Sequence, residues 1–411
     1  MEIFKFGGAS VKDSSSVKNV GRILKQYEDK QVLVVVSAMG KTTNLIESII
    51  RKFFTHKTLN VNAFNSLKDN HNSIIKELNL SIDISFIFEN FLDVLDQNKT
   101  CKYAFLYDQL IGFGELLSST ILFEYLNSTL GNTEYLDVKD LIKTDSNHQN
   151  ANVCWETTTH RILQVNFSKP IYVTQGFIAS DHNNVPTTLG REGSDFTAAI
   201  FASVLHVDSL TIWKDVDGFF NADPRLFHDA IKYDKISFRE AIELAYYGAS
   251  VVHPKTIQPL KRKGIPLIVR SFIHLDRPGT IISEDQDLIP NAPSIIVKRN
   301  LFLLTVSTKQ LSFIVEKELE TLFGLCHTEN VRMILMQNSA TSCSLVLQND
   351  PIKIPELLNK IKLLFQVKFN ENVELYTIRH YNQDIINRIY NKGRFVLEER
   401  NNKTIQILIQ P

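Results

Sequence analysis

The residues best able to do chemistry in this sequence gather in a few short segments, each following an apolar run. In Lys5-Phe6-Gly7-Gly8-Ala9-Ser10, two glycines let the backbone approach an anion and aim N–H groups at phosphate oxygens. Lys5 adds a cation that can follow negative charge. Taken alone, such a string fits a tight turn beside a solvated lysine equally well. In Ser37-Ala38-Met39-Gly40-Lys41-Thr42-Thr43-Asn44, hydroxyls stand before a helix. Gly-Lys-Thr invites a phosphate-loop reading, but that pattern needs a glycine where Val35 stands. Gly112-Phe113-Gly114-Glu115-Leu116-Leu117 imitates a dinucleotide fingerprint until Leu117 fills the third glycine position. Its Glu115 is charged in an otherwise apolar helix start, either a ligand contact or a solvated first-turn glutamate.

In Thr187-Thr188-Leu189-Gly190-Arg191-Glu192-Gly193-Ser194-Asp195, the glycines permit an anion-binding turn, Ser194 can cap a helix and Arg191 can grip a carboxylate with two bonds. The plain alternative is a capped helix carrying a surface arginine. After Trp213-Lys214, the aspartates Asp215, Asp217 and Asp223 could hold Mg²⁺ through water and accept ribose hydroxyls. A surface Asp-Gly turn explains them as well, and no glutamate stands at the distance a calcium loop requires.

The elements that must position these segments alternate between strand and helix. Val17, Val20, Leu24 and Tyr27 share a helical face, and Gln31–Val36 is a β-branched run of the kind buried in parallel sheets. Leu45, Ile46, Ile49, Ile50 and Phe53 predict a second helix, and residues 55–110 a helical excursion without legible chemistry. Beyond it, helices are expected at Phe113–Leu130 and Asp195–Leu205, and strands at Glu134–Val138, Pro170–Thr174, Ser209–Trp213 and Ile265–Val269. Ser237 and Glu240 form a capping box opening a helix through Tyr246. Such alternation implies a mostly parallel sheet covered on both faces. Residues 284–293, with two prolines and several acids, read as a linker. Past it the pattern turns α+β: strands at Leu301–Ser307, Val331–Gln337, Ser342–Leu347 and Val373–His380, helices at Ile314–Cys326, Ile354–Phe365 and Asp384–Tyr390, and a hairpin at Arg394–Ile409.

With 411 residues the chain exceeds one compact core. Forty-five basic and 45 acidic residues cancel, so no field favours nucleic acid or an anionic membrane. No apolar run is long enough to span a bilayer. The four cysteines are scattered without metal-ligand spacing, so no resident metal site is expected and a reduced, cytoplasmic setting is.

The strings KFGGAS, SAMGKTTN, GFGE, TLGREGSD, WKDVDGFFNADPR and YYGASVVHPKT, in this order over roughly residues 1–283, resemble the aspartate kinases of the amino acid kinase family, which carry C-terminal ACT domains. The resemblance implies a three-layer αβα, carbamate-kinase-like catalytic domain at 1–283 with a mostly parallel central sheet. A linker at 284–298 and a ferredoxin-like ACT region at 299–411 would follow, the latter one full unit and a shortened or incorporated second. It further implies ATP- and Mg²⁺-dependent phosphorylation of the L-aspartate β-carboxylate to 4-phospho-L-aspartate by direct in-line transfer. That is the first step toward lysine, threonine, methionine and diaminopimelate. A homodimer and an amino-acid effector at the ACT region, lysine or threonine, are also implied.

Carried over position by position, Lys5, Phe6, Gly7 and Gly8 would meet the ATP phosphates, with Lys5 stabilising the transferring group, Gly8 beside it and Asp195 organising the lysine. Ser37, Thr43, Glu115, Arg191, Glu192, Gly193 and Ser194 would hold aspartate, Arg191 at the α-carboxylate and Glu115 at the α-amino group. Lys214, Asp215, Phe220, Arg225 and Ser250 would touch the nucleotide. Ala9, Glu192, Phe220 and Ser250 depart from the usual threonine, glycine, tyrosine and lysine. The chemistry agrees: a β-carboxylate with pKa near about 4 is ionised at neutral pH, so no general base is needed, only positioning and positive charge. The rivals are another amino acid kinase, such as one acting on glutamate, and a non-catalytic amino-acid sensor with the same fold.

Overall fold

A computed structural model describes residues 1–411 apart from Ser250, Gln286 and Leu311. The chain forms two compact units: Met1–Phe219 with Lys232–Ala245 and Ser250–Pro290, and Phe220–Ile231 with Tyr246–Ala249 and Asn291–Pro411.

The first unit opens with β1 (Glu2–Phe6), α1 (Ser14–Lys25) and β2 (Val32–Val36). Helices α2 (Thr42–His56), α3 (Val61–Glu77), α4 (Ser85–Gln97), α5 (Tyr103–Ile111) and α6 (Phe113–Leu130) follow. The chain continues through β3 (Thr133–Leu136), α7 (Val138–Leu141), β4 (Lys143–Thr144), α8 (Trp155–Leu163), β5 (Ile171–Gln175), β6 (Ile178–Asp181) and β7 (Pro186–Thr188). It closes with α9 (Gly193–Leu205), β8 (Leu210–Lys214), β9 (Lys235–Ser237), α10 (Phe238–Tyr247), α11 (Pro254–Lys263), β10 (Leu267–Ser271) and β11 (Thr280–Ser283). Eight strands form one sheet in the order β3-β5-β2-β1-β8-β10-β11-β9. Every pair is parallel except β10 with β11.

The Val32–Val36 run is buried at every position because helices cover both faces. Helices α1 to α6 join Phe4, Phe6, Val34 and Val36 in one apolar cluster on one face, while α9 packs on β1, β2 and β8 from the other. The excursion at 55–110 is helical, as expected. Its Phe64, Leu67, Phe88, Phe91 and Leu95 extend that cluster.

In the second unit, β12 (Ser294–Thr308), α12 (Glu316–Thr328), β13 (Met333–Asn338), β14 (Ser342–Gln348), α13 (Lys353–Leu364), β15 (Phe365–Arg379), α14 (Gln383–Tyr390), β16 (Arg394–Arg400) and β17 (Thr404–Gln410) build an antiparallel sheet. Its order is β13-β14-β12-β15-β17-β16. The long strands β12 and β15 are each shared by two halves. Residues 301–308 of β12 and 365–370 of β15 flank the first half, with α12 and α13 on its core. Residues 373–379, α14, β16 and β17 make the second half, and 294–298, the start of β12, complete its sheet. Residues 294–298, read as the end of a linker, are therefore strand.

Candidate active site

Parallel strands β1, β2, β5 and β8 all deliver their carboxyl ends to the same edge of the sheet, where open α/β folds hold ligands. Lys5 lies next to the last residue of β1 and Lys214 is the last of β8. Both reach Asp195 in the first turn of α9: Lys5 Nζ stands 2.6 Å from Oδ1 and Lys214 Nζ 3.6 Å from Oδ2. Asp195 is buried. Burial alone would raise its carboxyl pKa, but the Lys5 and Lys214 ammoniums outweigh that and hold it below the ordinary range.

Gly7 and Gly8 follow Lys5 into a turn. A Cβ on Gly8 would come within 2.7 Å of the Ala38 carbonyl oxygen, so the close approach of this turn to the loop after β2 demands glycine. The Gly40 N–H closes the loop by donating to the Gly8 carbonyl at 3.0 Å. Gly40 itself has φ +52, which gives the Gly-Lys-Thr string a turn role.

Ala38 links this turn to Glu115, donating its N–H to Oε1 at 3.2 Å. Gly114 makes room for the contact, since a Cβ there would stand 2.9 Å from that of Ala38. Glu115 is buried, and its Oε2 has no hydrogen-bond partner among the described residues. Desolvation pushes its carboxyl up to about 8. It stands in the wall of a cavity of about 540 Å³ with Ser37, Thr43, Arg191, Glu192, Gly193 and Ser194. All seven residues expected to hold the substrate thus meet in one cavity. Arg191 is exposed and makes no ion pair with a described residue.

Glu192 takes a left-handed conformation, φ 52 and ψ 34, as the residue before α9. An L-residue pays about 1–2 kcal/mol for that geometry. Glu192→Gly is expected to stabilise the fold by about 1 kcal/mol, less what glycine loses through a freer unfolded chain; urea denaturation checks it, and a destabilised variant would contradict it.

The nucleotide-side expectations divide. Lys5, Phe6, Gly7, Gly8, Lys214 and Asp215 lie in the first unit, Asp215 exposed at the end of β8. Phe220 and Arg225 belong to the second unit, where Arg225 pairs with Asp223 at 2.8 Å. Ser250 lies outside the described residues. Asp217, considered for Mg²⁺, is instead engaged by Arg277 and by His274 at 2.8 Å, so its carboxylate is already committed.

The cavity also takes residues that sequence reasoning missed: Glu47, Arg51, Tyr103, Tyr107, Gln149 and Phe177. The one available signal was Gly176-Phe177 directly after β5, the same strand-end glycine pattern as the other segments. A Cβ on Gly176 would stand 2.5 Å from the Ser194 Cβ, so this glycine admits the cavity's own serine.

Residues 1–271 match the model of the amino acid kinase family. The chain belongs to that family. Among curated relatives it is 34% identical over 308 residues to the chloroplastic bifunctional aspartokinase/homoserine dehydrogenase 2 of Arabidopsis thaliana, covering 71% of this chain and 34% of that protein. The chain thus spans about a third of the length of the plant bifunctional relatives it matches. It is 28% identical over 396 residues to lysine-sensitive aspartokinase 3 of Escherichia coli, covering 92% of this chain and 86% of that protein. Among solved structures, E. coli aspartokinase III in complex with lysine and aspartate superposes with a TM-score of 0.85 at 25% identity, covering 100% of this chain and 96% of that one. The same enzyme with aspartate and ADP gives 0.78, at the same identity and coverage.

Proposed function

We propose that this protein transfers the γ-phosphoryl group of ATP to the β-carboxylate of L-aspartate. The observation that carries the reading is Glu115, a buried carboxylate with an oxygen that no described residue partners, in the wall of a cavity that also presents the Arg191 guanidinium, unpaired among the described residues. Together they match the two charges of an α-amino acid: a bidentate guanidinium for its α-carboxylate and a desolvated anion for its ammonium. Ser37, Thr43 and Ser194 add hydroxyls to the same cavity.

The adjacent Lys5–Asp195–Lys214 cluster supplies positive charge where an anion must approach a polyanion. Asp195 holds Lys5 in place from the buried side. A Cβ on Gly7 would stand 3.4 Å from Lys5 Nζ, so glycine there keeps the space beside the lysine clear for a phosphate oxygen. Bound there, ATP with Mg²⁺ would supply the phosphoryl group, the metal offsetting part of its charge. The acceptor carboxylate is ionised at neutral pH, so no side chain needs to remove a proton.

The E. coli enzyme solved with aspartate and ADP supports both substrates for this chain. Its complex with lysine supports an amino-acid effector, which we place on the C-terminal tail. We read that tail as an ACT region of one full unit and a shortened or incorporated second, and lysine or threonine as the effectors to try. The wider reading is a homodimer serving lysine, threonine and methionine synthesis, in a cytoplasm where the four cysteines, all free, stay reduced. No helix among the described residues is long and apolar enough to cross a membrane.

The test is hydroxamate formation with ATP, Mg²⁺ and hydroxylamine. Product is expected with aspartate and not with glutamate. A folded protein that binds aspartate without turnover would replace this reading with that of a sensor.

A further inference from the structure

Asp108 lies outside every segment assigned a role so far, on α5 at the end of the helical excursion, and its side chain is fully buried. Three donor groups and an imidazole nitrogen converge on its carboxylate. The Gln149 N–H reaches both oxygens, at 3.1 and 3.0 Å. Thr188 gives its hydroxyl at 2.7 Å and its N–H at 3.3 Å. His148 Nδ1 stands 2.9 Å away, with its ring edge-on to Phe105 at 5.0 Å.

These partners sit on the two loops that build one side of the substrate cavity. Gln149 lines it directly and holds φ +70, a conformation that persists only where its surroundings impose it. Thr188 ends β7 and leads through Leu189 into the 190–193 turn that carries Arg191. The loops are also locked to each other: Ala151 N–H donates to the Thr188 carbonyl at 2.9 Å. A Cβ on Gly190 would come within 2.6 Å of Asn150 Oδ1.

We propose that Asp108 is a positioning residue for the substrate clamp. Its carboxylate gathers the 148–149 and 188 backbone so that Arg191 and Gln149 stand preformed to receive the amino-acid end of the substrate; this rests on the aspartate kinase reading above. The chemistry demands a carboxylate. Every group facing it except the imidazole is a donor, and an amide would turn an N–H toward donors while halving the acceptor sites. It also gives the excursion a task, since α5 carries Asp108 into the gap between the two loops.

The experiment is Asp108→Asn in the full chain, with KM measured separately for aspartate and ATP and aspartate binding measured in a cycle with Arg191→Ala. A clamp displaced by a fraction of an ångström raises the aspartate KM about tenfold or more, while the ATP KM stays within about twofold. In the cycle, Asp108→Asn has little further effect once Arg191 is gone, because both act on one interaction. Equal changes in both KM values, or full additivity in the cycle, would reduce Asp108 to a general fold contact and overturn the proposal. If Asp108→Asn does not fold, Thr188→Val removes the 2.7 Å hydrogen bond while keeping shape. Its aspartate KM is expected to rise about threefold with the ATP KM unchanged, and no such split would overturn the proposal. A wild type that turns over no aspartate would instead bring down the functional reading; an active wild type with an unsplit variant brings down only this one.

Discussion

Replacing Lys5 by alanine is expected to lower kcat about 10³-fold while leaving aspartate binding within a few-fold of wild type. A cation fixed in a water-excluded site where charge redistributes is worth about 10²–10³ in rate for one donor. Lys5 is buried and already oriented by Asp195 at 2.6 Å, so it needs no reorganisation at the moment of transfer. Stability should fall too. Among the described residues Asp195 would keep only the looser contact to Lys214 at 3.6 Å, and breaking a buried pair costs about 3–5 kcal/mol. The carboxyl of Asp195 is held below its ordinary pKa in the fold. Its contribution is therefore present above the unfolded value near about 4 and lost as pH falls through the lower folded value. Steady-state kinetics and calorimetric aspartate titration at pH 7 separate the two effects. A folded variant with near wild-type kcat would remove Lys5 from the transfer step.

Glu115 yields the second large effect. With its carboxyl pushed up to about 8, the substrate-free protein carries a mostly protonated Glu115 at pH 7. An aspartate ammonium placed beside it favours the carboxylate, so binding should release close to one proton. Affinity should then rise up to about tenfold per pH unit between about 6 and 8 and level off above. Sign and stability go together: a folded pKa above the unfolded one contributes stability that is full below the unfolded value and is lost as pH rises toward 8. Aspartate should restore part of that loss. Glu115→Gln should abolish proton release and weaken aspartate by about 2–3 kcal/mol, roughly 30- to 150-fold. Titration calorimetry in buffers of different ionisation enthalpy reads the proton count directly. A wild type that binds aspartate without releasing protons would contradict the assignment.

Much of this site was legible because its residues are anomalies in their contexts. Lys5 interrupts an apolar strand end, Glu115 is charged in an apolar helix, and Arg191 is wedged between turn glycines. Glu47, Arg51, Tyr103 and Tyr107 were hidden for the opposite reason: on their helices they look like ordinary exposed or half-exposed positions. Phe177 and Gln149 reach the cavity from left-handed backbone, φ +70 in each, which no hydrophobic period records. Asp108 gave no signal, since a lone acid in a helix looks solvated until three donors and an imidazole are seen around it.

The tail shows the same limit. Strands expected at Leu301–Ser307 and Val373–His380 are halves of 15-residue strands. Asn300 and Asn372 sit midway at φ 53 and 54, residues that normally mark turns. Here they bend the ladder at a register shift between Lys298 and Leu303 and the chain runs on. The residues at 294–298 beyond that bend lie just past two prolines, which made them look like linker.

The most direct test of the central claim is to follow the phosphoryl group itself. Aspartate labelled with ¹³C at the β-carboxyl is incubated with ATP, Mg²⁺ and the protein, and ³¹P and ¹³C spectra are recorded. The account predicts an acyl-phosphate ³¹P signal coupled to the labelled carbon, present with aspartate, absent with glutamate and lost with Lys5→Ala. ATP consumed without that coupling, or a phosphoryl group found on another acceptor, would contradict it.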